Sequence, residues 1–343
     1  MRRHAGFAPS SGLNALALVA AIAVLLAGCS GGSGGGSSSS ASSTAPAVTS
    51  TIDPGDPASV PAEASPGCGT APDVARIDPE VRPGDVEQTF DLDGTERTYR
   101  LGVPASYDPD VAAPLIVNLH GSGSNAVEAS AYGDVPRLAA ERGMLTVAPQ
   151  AIDGRWELVG GGVDGDFISG LLDDLEGRYC IDLNRVHLVG MSLGAWKAAA
   201  TACHYSGRFA SLALVTVEVF PGECEPISVV AFHGRADRTV PYGEGATVDP
   251  TGSPNEGLPG TLDNIASWAR SAGCDADPQI ERIGDDVEHR TYDGCGLGLG
   301  VELYTIDEGG HTWPGSDLEI GPTTQTIDAT AIILDWFDAH PRR

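Results

Sequence analysis

Residues 185–205 read RVHLVGMSLGAWKAAATACHY, and this stretch decides the fold. It opens with an apolar run, RVHLVG, that is typical of a short buried strand. It ends in an alanine-rich segment, AWKAAATACHY, whose composition favours a helix. Between the two lies Gly190-Met191-Ser192-Leu193-Gly194, a G-x-S-x-G sequence in the strand–turn–helix context typical of a nucleophilic serine. The stretch therefore predicts a nucleophile at Ser192, the alternative being a turn in which the serine only caps the helix.

The segments on either side alternate between strands and helices. Further strands are predicted at 114–121, 144–150, 210–217, 227–234 and 301–307, with a hairpin at 91–104; helices are predicted at 167–179, 262–270 and 327–340. This alternation predicts an α/β fold with a mostly parallel central sheet flanked by helices on both faces. Reactive groups in such sheets gather at the carboxyl ends of the strands.

A serine hydroxyl needs a base to take its proton, and the chain has eight histidines. His120 and His233 end strands, where each can orient a loop, but both precede the position that a base usually takes. His311 follows the last predicted strand in the glycine-rich sequence EGGHTWPG, 308–315. Glycines leave the ring accessible, so we expect His311 to be the base.

The base needs an acid that fixes its tautomer. Asp237 follows the strand ISVVAFHG and lies between Ser192 and His311 in the chain. The order Ser, Asp, His is that of α/β-hydrolases, the fold class that we expect here. Asp307 and Glu308 are the alternatives, but they lie too close in sequence to His311 to reach around its ring easily.

Two backbone N–H groups are expected to stabilise a developing oxyanion. One is that of Leu193, directly after the nucleophile. The second belongs to the turn His120-Gly121-Ser122-Gly123, with Ser122 as the predicted donor and Gly121 as the next candidate. The alternative reading of this turn is a simple glycine turn without a role in catalysis.

Length, composition and charge exclude several classes of protein. The chain has 343 residues, of which 41% are hydrophobic, enough for a sizeable core in one or two domains. The formal net charge is −27, which disfavours binding to nucleic acid or to anionic lipid. We therefore expect no nucleic-acid partner.

The N-terminal region is predicted to be a targeting segment followed by a tether. Arg2 and Arg3 precede an apolar run that ends at Gly28, and this pattern is typical of a signal peptide. Leu26-Ala27-Gly28-Cys29 resembles the bacterial lipobox, which implies lipid attachment at Cys29; the alternative is a plain secreted protein. We expect a signal peptide at 1–28, a Gly/Ser-rich tether at 29–66 and a catalytic domain at 67–343.

Six cysteines remain after Cys29, and an even number in an exported chain suggests disulfides. Proximity in sequence favours Cys274–Cys295 and Cys203–Cys224, which leaves Cys68–Cys180. A metal site is the competing interpretation, but the chain has no CxxC or HxxxH spacing.

Several motifs together resemble those of the polyhydroxybutyrate-depolymerase-like esterases, and of the feruloyl and acetylxylan esterases of the carbohydrate esterase type. They are LHGSGS, GMSLG, HGRADRTVPY, the Cys274–Cys295 pair and GGHTWPG. The resemblance implies an α/β-hydrolase fold, hydrolysis of carboxylic esters, and Ser192, Asp237 and His311 as nucleophile, acid and base. It also implies that Trp313 forms a wall of the ester pocket. Leu193 is a departure, because many relatives carry asparagine or a small residue there.

The sequence thus predicts a surface-anchored or secreted serine hydrolase that cleaves carboxylic esters and requires no metal or organic cofactor. The expected substrates are polyhydroxybutyrate oligomers, or feruloyl or acetyl esters of polysaccharide. The alternatives are an acyltransferase with the same three residues and an inactive cell-surface binding lipoprotein. We expect a monomer that contacts the membrane only through its N-terminal lipid.

Overall fold

Ten strands form one mixed sheet in the computed structural model of the protein, which describes residues 56–71, 76–78, 80–243, 259–318 and 320–343. The strands are β1 Val86–Leu92, β2 Thr95–Gly102, β3 Ala113–Leu119, β4 Leu145–Pro149, β5 Ile181–Met191, β6 Ser211–Val215, β7 Ser228–Gly234, β8 Gln279–Ile283, β9 Val287–Tyr292 and β10 Val301–Ile306. Their order across the sheet is β1-β2-β4-β3-β5-β6-β7-β10-β9-β8. The six central strands, β4-β3-β5-β6-β7-β10, run parallel to one another. The outer strands on both edges pair antiparallel.

Helices cover both faces of this sheet, as the sequence predicts. They are α1 Ala126–Tyr132, α2 Val135–Glu141, α3 Gly162–Arg178, α4 Leu193–His204, α5 Thr261–Ser271 and α6 Ala329–Ala339. Apolar residues of α3, α4 and α5 pack in one core cluster, and those of α2 and α6 pack in another.

The central strands contribute to both clusters because their side chains alternate between the two faces. In β5, for example, Leu188 packs in the first cluster and Val189 in the second. Strands buried on both faces read as continuous apolar runs, which is why the sequence reveals them so clearly. The predicted α/β-hydrolase architecture is therefore confirmed in its central strands and in the hairpin of β1 and β2.

Four elements differ from the sequence-based expectation. The short helices α1 and α2, of seven residues each, and the strands β8 and β9 are not evident from the sequence. β8 lies at the edge of the sheet with almost every residue exposed, so it carries no apolar pattern. The charged segment around His289 is the strand β9.

The N-terminal part of the described chain already contacts the body. Ser65 is buried and its hydroxyl donates to the carbonyl of Tyr179, while Ala64 forms a bridge with Asp182. The body thus begins before Gly67, the boundary expected from composition, because the backbone of Ala64 and Ser65 pairs with the start of β5. The predicted signal peptide, the lipidation site at Cys29 and the tether up to residue 55 lie outside the described residues.

Three disulfides join distant parts of the body. They are Cys68–Cys180, Cys203–Cys224 and Cys274–Cys295, with Cα–Cα distances of 3.9, 4.5 and 3.7 Å. These are the predicted pairs: sequence proximity favours the last two and leaves Cys68–Cys180, and such bonds are typical of exported proteins. None of the described helices is long and apolar enough to span a membrane.

Candidate active site

Ser192 lies in a strained turn between β5 and α4. Its backbone adopts φ 57° and ψ −123°, a conformation that costs energy for a residue with a side chain. A Cβ atom on Gly190 would lie 2.3 Å from the carbonyl oxygen of Gly194, and one on Gly194 would lie 2.1 Å from that of Leu119. Both glycines are therefore required for the close approach of strand, turn and helix.

The loops after β7 and β10 pack directly on each other. A Cβ on Gly234 would lie 2.1 Å from the carbonyl oxygen of Gly309, which accepts a hydrogen bond from the N–H of Ala236 at 3.0 Å. The N–H of Gly310 donates to the carbonyl of Pro322 at 2.8 Å. The glycines before His311 thus serve close backbone packing, which brings its loop beside that of Asp237.

His311 and Asp237 form a short hydrogen bond. Nδ1 of His311 lies 2.7 Å from Oδ2 of Asp237, and Oδ1 of Asp237 accepts from the N–H groups of Thr239 and Val240 at 2.7 and 2.9 Å. Burial alone raises the pKa of Asp237. The hydrogen bond and charge of His311, with the two amides, outweigh burial and lower this pKa, so the carboxylate stays ionised.

The alternative acid, Asp307, is engaged elsewhere. Its Oδ1 accepts from Arg235 at 3.0 Å and its Oδ2 from Arg282 at 2.7 Å. The structure therefore brings Asp237, rather than Asp307, to the imidazole of His311. Since Nδ1 is bonded to Asp237, Nε2 is the ring nitrogen that can exchange a proton with another group.

Ser192 and His311 line one pocket with a volume of about 120 Å³. Its other lining residues include Gly121, Ser122, Tyr132, Met191, Trp313 and Ile320. Trp313 is 2% exposed, and its indole N–H donates to Oγ1 of Thr330 at 3.0 Å. Trp313 thus forms part of the wall of this pocket.

The His120–Gly123 turn is fixed by the His120 ring, which also packs against Trp156. Nε2 of His120 accepts from the N–H of Ala151 at 3.1 Å, so Nδ1 carries the proton and donates to the carbonyl of Gly121 at 2.8 Å. In agreement, burial lowers the pKa of His120.

This hydrogen bond also orients the next peptide N–H. In a trans peptide the carbonyl and the following N–H point in opposite directions. Because the Gly121 carbonyl faces the His120 ring, the N–H of Ser122 faces away from it. Among the described residues, neither this N–H nor that of Leu193 donates to a protein acceptor, so both are available to an oxygen atom near Ser192.

A second buried pair lies behind Asp237 and is not evident from the sequence as part of a site. Nδ1 of His233 lies 2.8 Å from Oε2 of Glu218, and both side chains are almost fully buried. The only sequence signal is an acidic residue inside the apolar run from Leu212 to Phe220. In the described part of the chain, no group of three His, Cys, Asp or Glu side chains could hold a metal ion.

Comparison with known proteins shows that the chain is similar to esterases. No family model matches the chain. Feruloyl esterase B of Piromyces equi is 26% identical over 223 residues, which cover 61% of this chain but only 41% of that protein. Feruloyl esterase C of Emericella nidulans is 27% identical over 253 residues, covering 70% of this chain and 87% of that one.

A solved structure shares the fold. The acetyl xylan esterase from Aspergillus awamori is 15% identical, covers 74% of this chain and 99% of its own, and superposes with a TM-score of 0.52. The chain is similar to feruloyl-esterase-like serine esterases, and this similarity, together with the α/β-hydrolase fold, supports a carboxylic ester hydrolase.

Proposed function

We propose that this protein hydrolyses carboxylic esters with Ser192 as nucleophile, His311 as base and Asp237 as the acid that orients the base. The observation that carries the proposal is the 2.7 Å hydrogen bond between His311 and Asp237 at a pocket that Ser192 also lines. Two side chains separated by 74 positions meet beside a serine in a strained turn. A serine that only caps the helix would need neither this strained backbone conformation nor a histidine in the same pocket.

The reaction has two halves. Ser192 Oγ attacks the ester carbonyl carbon while Nε2 of His311 takes its proton, and the imidazolium then protonates the departing alcohol. Water attacks the acyl-enzyme by the same route, with His311 as base, and releases the acid. Asp237 stabilises the imidazolium in both halves through its bond to Nδ1.

The negative charge that forms on the carbonyl oxygen needs hydrogen-bond donors. The N–H groups of Leu193 and Ser122 are the proposed pair. The Leu193 amide is at the first position of α4, where the helix leaves an N–H unpaired. The partial positive charge of this helix end adds to the stabilisation.

Replacing Ser192 with alanine tests the assignment. We expect Ser192→Ala to lose at least roughly 10³-fold in kcat on p-nitrophenyl acetate and to lose labelling by a fluorophosphonate probe. Ser206→Ala, beyond the opposite end of α4, is the matched control and should behave as the wild type. Turnover and labelling of Ser192→Ala at the wild-type level would contradict the proposal.

The size of the pocket favours a short acyl group. Its volume of about 120 Å³ is below the roughly 150 Å³ of an apolar cavity known to hold one benzene molecule. An acetyl group is smaller than benzene and a four-carbon hydroxyacyl group is about the same size, whereas a feruloyl group adds ring substituents and a side chain to a benzene ring. We therefore infer esters of short acids as the preferred substrates.

A feruloyl ester is the second candidate, because both sequence relatives described above are named feruloyl esterases. Acetyl, 3-hydroxybutyryl and feruloyl esters, assayed side by side, separate the two. We expect kcat/KM to be highest for the short acids. A higher kcat/KM for the feruloyl ester would show that the pocket opens to admit an aromatic ring.

We also propose that the enzyme is exported and held at the cell surface through Cys29. The three disulfides support an extracellular location. The described chain enters the body beside the first half of β5, where the carbonyls of Pro57 and Val60 accept from Arg185, whereas Ser192 follows the end of this strand. The site then faces away from the attachment point.

The anchor has its own test. Cys29→Ser should move the protein from the membrane fraction to the medium without changing its specific activity. Retention of Cys29→Ser in the membrane fraction would refute a lipid anchor at this residue.

A further inference from the structure

A buried acid and a buried histidine lie behind Asp237, on the side away from the pocket. Glu218 follows β6, and His233 is the last residue but one of β7. Oε2 of Glu218 is 2.8 Å from Nδ1 of His233, and the side-chain exposures are 3% and 0%. Isolated charges are too costly to bury at such positions, so the protonation of the two groups must be coupled.

The hydrogen bonds of the His233 ring locate its protons. Nε2 lies 2.9 Å from the carbonyl oxygen of Val240, which can only accept, so Nε2 carries a proton. Nδ1 faces Oε2 of Glu218 and also Oγ1 of Thr261, at 3.0 Å. Of the two groups, imidazole is by nature the stronger base. The proton between the two groups therefore resides on the ring.

The electrostatic balance at His233 agrees with this placement. Burial by itself lowers the pKa of His233, but the charge and the hydrogen bond of Glu218 outweigh burial and raise it. The bond to Val240 and the charge of Asp237 act in the same direction. The two carboxylates of Glu218 and Asp237 thus both favour the protonated form of this ring.

His233 and His311 approach the same oxygen of Asp237. Nε2 of His233 lies 3.6 Å from Oδ2, the atom that accepts from His311 at 2.7 Å. His233 also holds the carbonyl of Val240, whose N–H donates to Oδ1 of Asp237. The cation therefore acts on the carboxylate in two ways, through its charge and through the backbone that holds Oδ1.

We propose that Glu218 and His233 form a buried ion pair that positions Asp237, so that a fixed positive charge balances the carboxylate on the side opposite His311. Both are positioning residues, because neither lines the pocket. The inference rests on the proposed function of Asp237 and His311. It adds that the pair sets how strongly Asp237 attracts the proton that His311 must release.

Among the described residues, the one other anion close to the His233 ring is Asp237, whose carboxylate already pairs with His311. From the loop after β7, Asp237 and the phenol of Tyr242 face the ring, the latter edge-on with centroids 5.5 Å apart. From α5 the facing group is the neutral hydroxyl of Thr261. Arg235 lies over the Tyr242 ring, at 5.0 Å from its centroid. Removing the charge of Glu218 should therefore leave His233 neutral.

The pH profile of Glu218→Gln tests the proposal, because glutamine keeps the shape and a hydrogen bond to Nδ1. With His233 neutral, Asp237 is less compensated and holds a proton on His311 to higher pH. We expect the acidic limb of kcat/KM to move up by about one pH unit, with KM nearly unchanged. A role in packing alone would leave this limb in place.

Glu302→Gln is the matched control. Oε2 of Glu302 lies 2.9 Å from Nε2 of His289, so the change removes one carboxylate beside a histidine near the opposite end of β10. Its acidic limb should coincide with that of the wild type. If the limb of Glu218→Gln also coincides with it, the proposal is wrong.

A second readout needs neither variant nor activity. In the two-bond ¹H–¹⁵N spectrum of the ¹⁵N-labelled wild type near neutral pH, both ring nitrogens of His233 should show imidazolium shifts. A neutral ring overturns the proposal. Because this measurement uses the wild type, it decides the question even if Glu218→Gln does not fold. An enzyme without ester hydrolysis but with an imidazolium at His233 would instead count against the proposed function alone.

Discussion

Adding a single methyl group at Gly194 should disable catalysis, because the new atom would force the backbone of α4 away from that of β3. Gly194 is the second residue of α4 and lies against the end of β3. In Gly194→Ala the new Cβ would lie 2.1 Å from the carbonyl oxygen of Leu119 and 2.6 Å from that of His120. Both neighbours are backbone atoms, so no side chain can rotate to make room.

The size of the effect follows from these distances. An ordinary contact is about 3.5 Å, so helix and strand must separate by roughly 1 Å. Overpacking of this kind costs about 1–3 kcal/mol of unfolding free energy. The same movement displaces the turn that carries Ser122 relative to Ser192, and a misplacement of about 1 Å costs on the order of 10²-fold in rate.

The assay combines urea unfolding with hydrolysis of p-nitrophenyl acetate under conditions where the variant is fully folded. Gly177→Ala is the control, because a Cβ there meets nothing within 4 Å and the residue is in a helix. The free energy of unfolding of Gly177→Ala should rise by up to about 1 kcal/mol, and its activity should equal that of the wild type. If Gly194→Ala matched the wild type in both stability and kcat/KM, the argument from close approach would be refuted.

Three further predictions concern the acid, a disulfide and a buried histidine. Asp237→Asn should lower kcat on the order of 10⁴-fold while Ser192 still reacts slowly with fluorophosphonate; a loss below tenfold would point to another acid. Replacing Cys68 and Cys180 with serine opens a loop of 112 residues and should lower the free energy of unfolding by about 5 kcal/mol. The same change at Cys274 and Cys295 opens a loop of 21 residues and should lower it by about 3 kcal/mol. Equal losses in urea unfolding would contradict the loop-entropy argument. Burial lowers the pKa of His187 to about 3, below the unfolded value near 6.5. His187 therefore stabilises the fold above about pH 6.5 and loses this contribution as pH falls toward 3, so the wild type should lose about 2–3 kcal/mol between pH 7 and 4.5 that His187→Gln does not lose.

Local sequence was sufficient for the central strands and for the strand–turn–helix around Ser192. Buried strands require continuous apolar runs, and the turn requires glycines at 190 and 194, so both leave marks in the residues themselves. Edge strands such as β8 need no apolar pattern, because solvent covers most of their side chains, and the sequence did not reveal them.

Candidate residues could be named from the sequence, but their partners could not. The order Ser192, Asp237, His311 follows from what comes after each strand, whereas the choice between Asp237 and Asp307 depends on which carboxylate meets an imidazole and which meets two arginines. Glu218 and His233 come from neighbouring strands, and their contact depends on the pairing of β6 with β7. Periodicity and turn residues act within a few positions along the chain, so they determine backbone conformation. Contacts between side chains many positions apart arise only when the sheet sets the register of its strands, and the tertiary structure alone decides them.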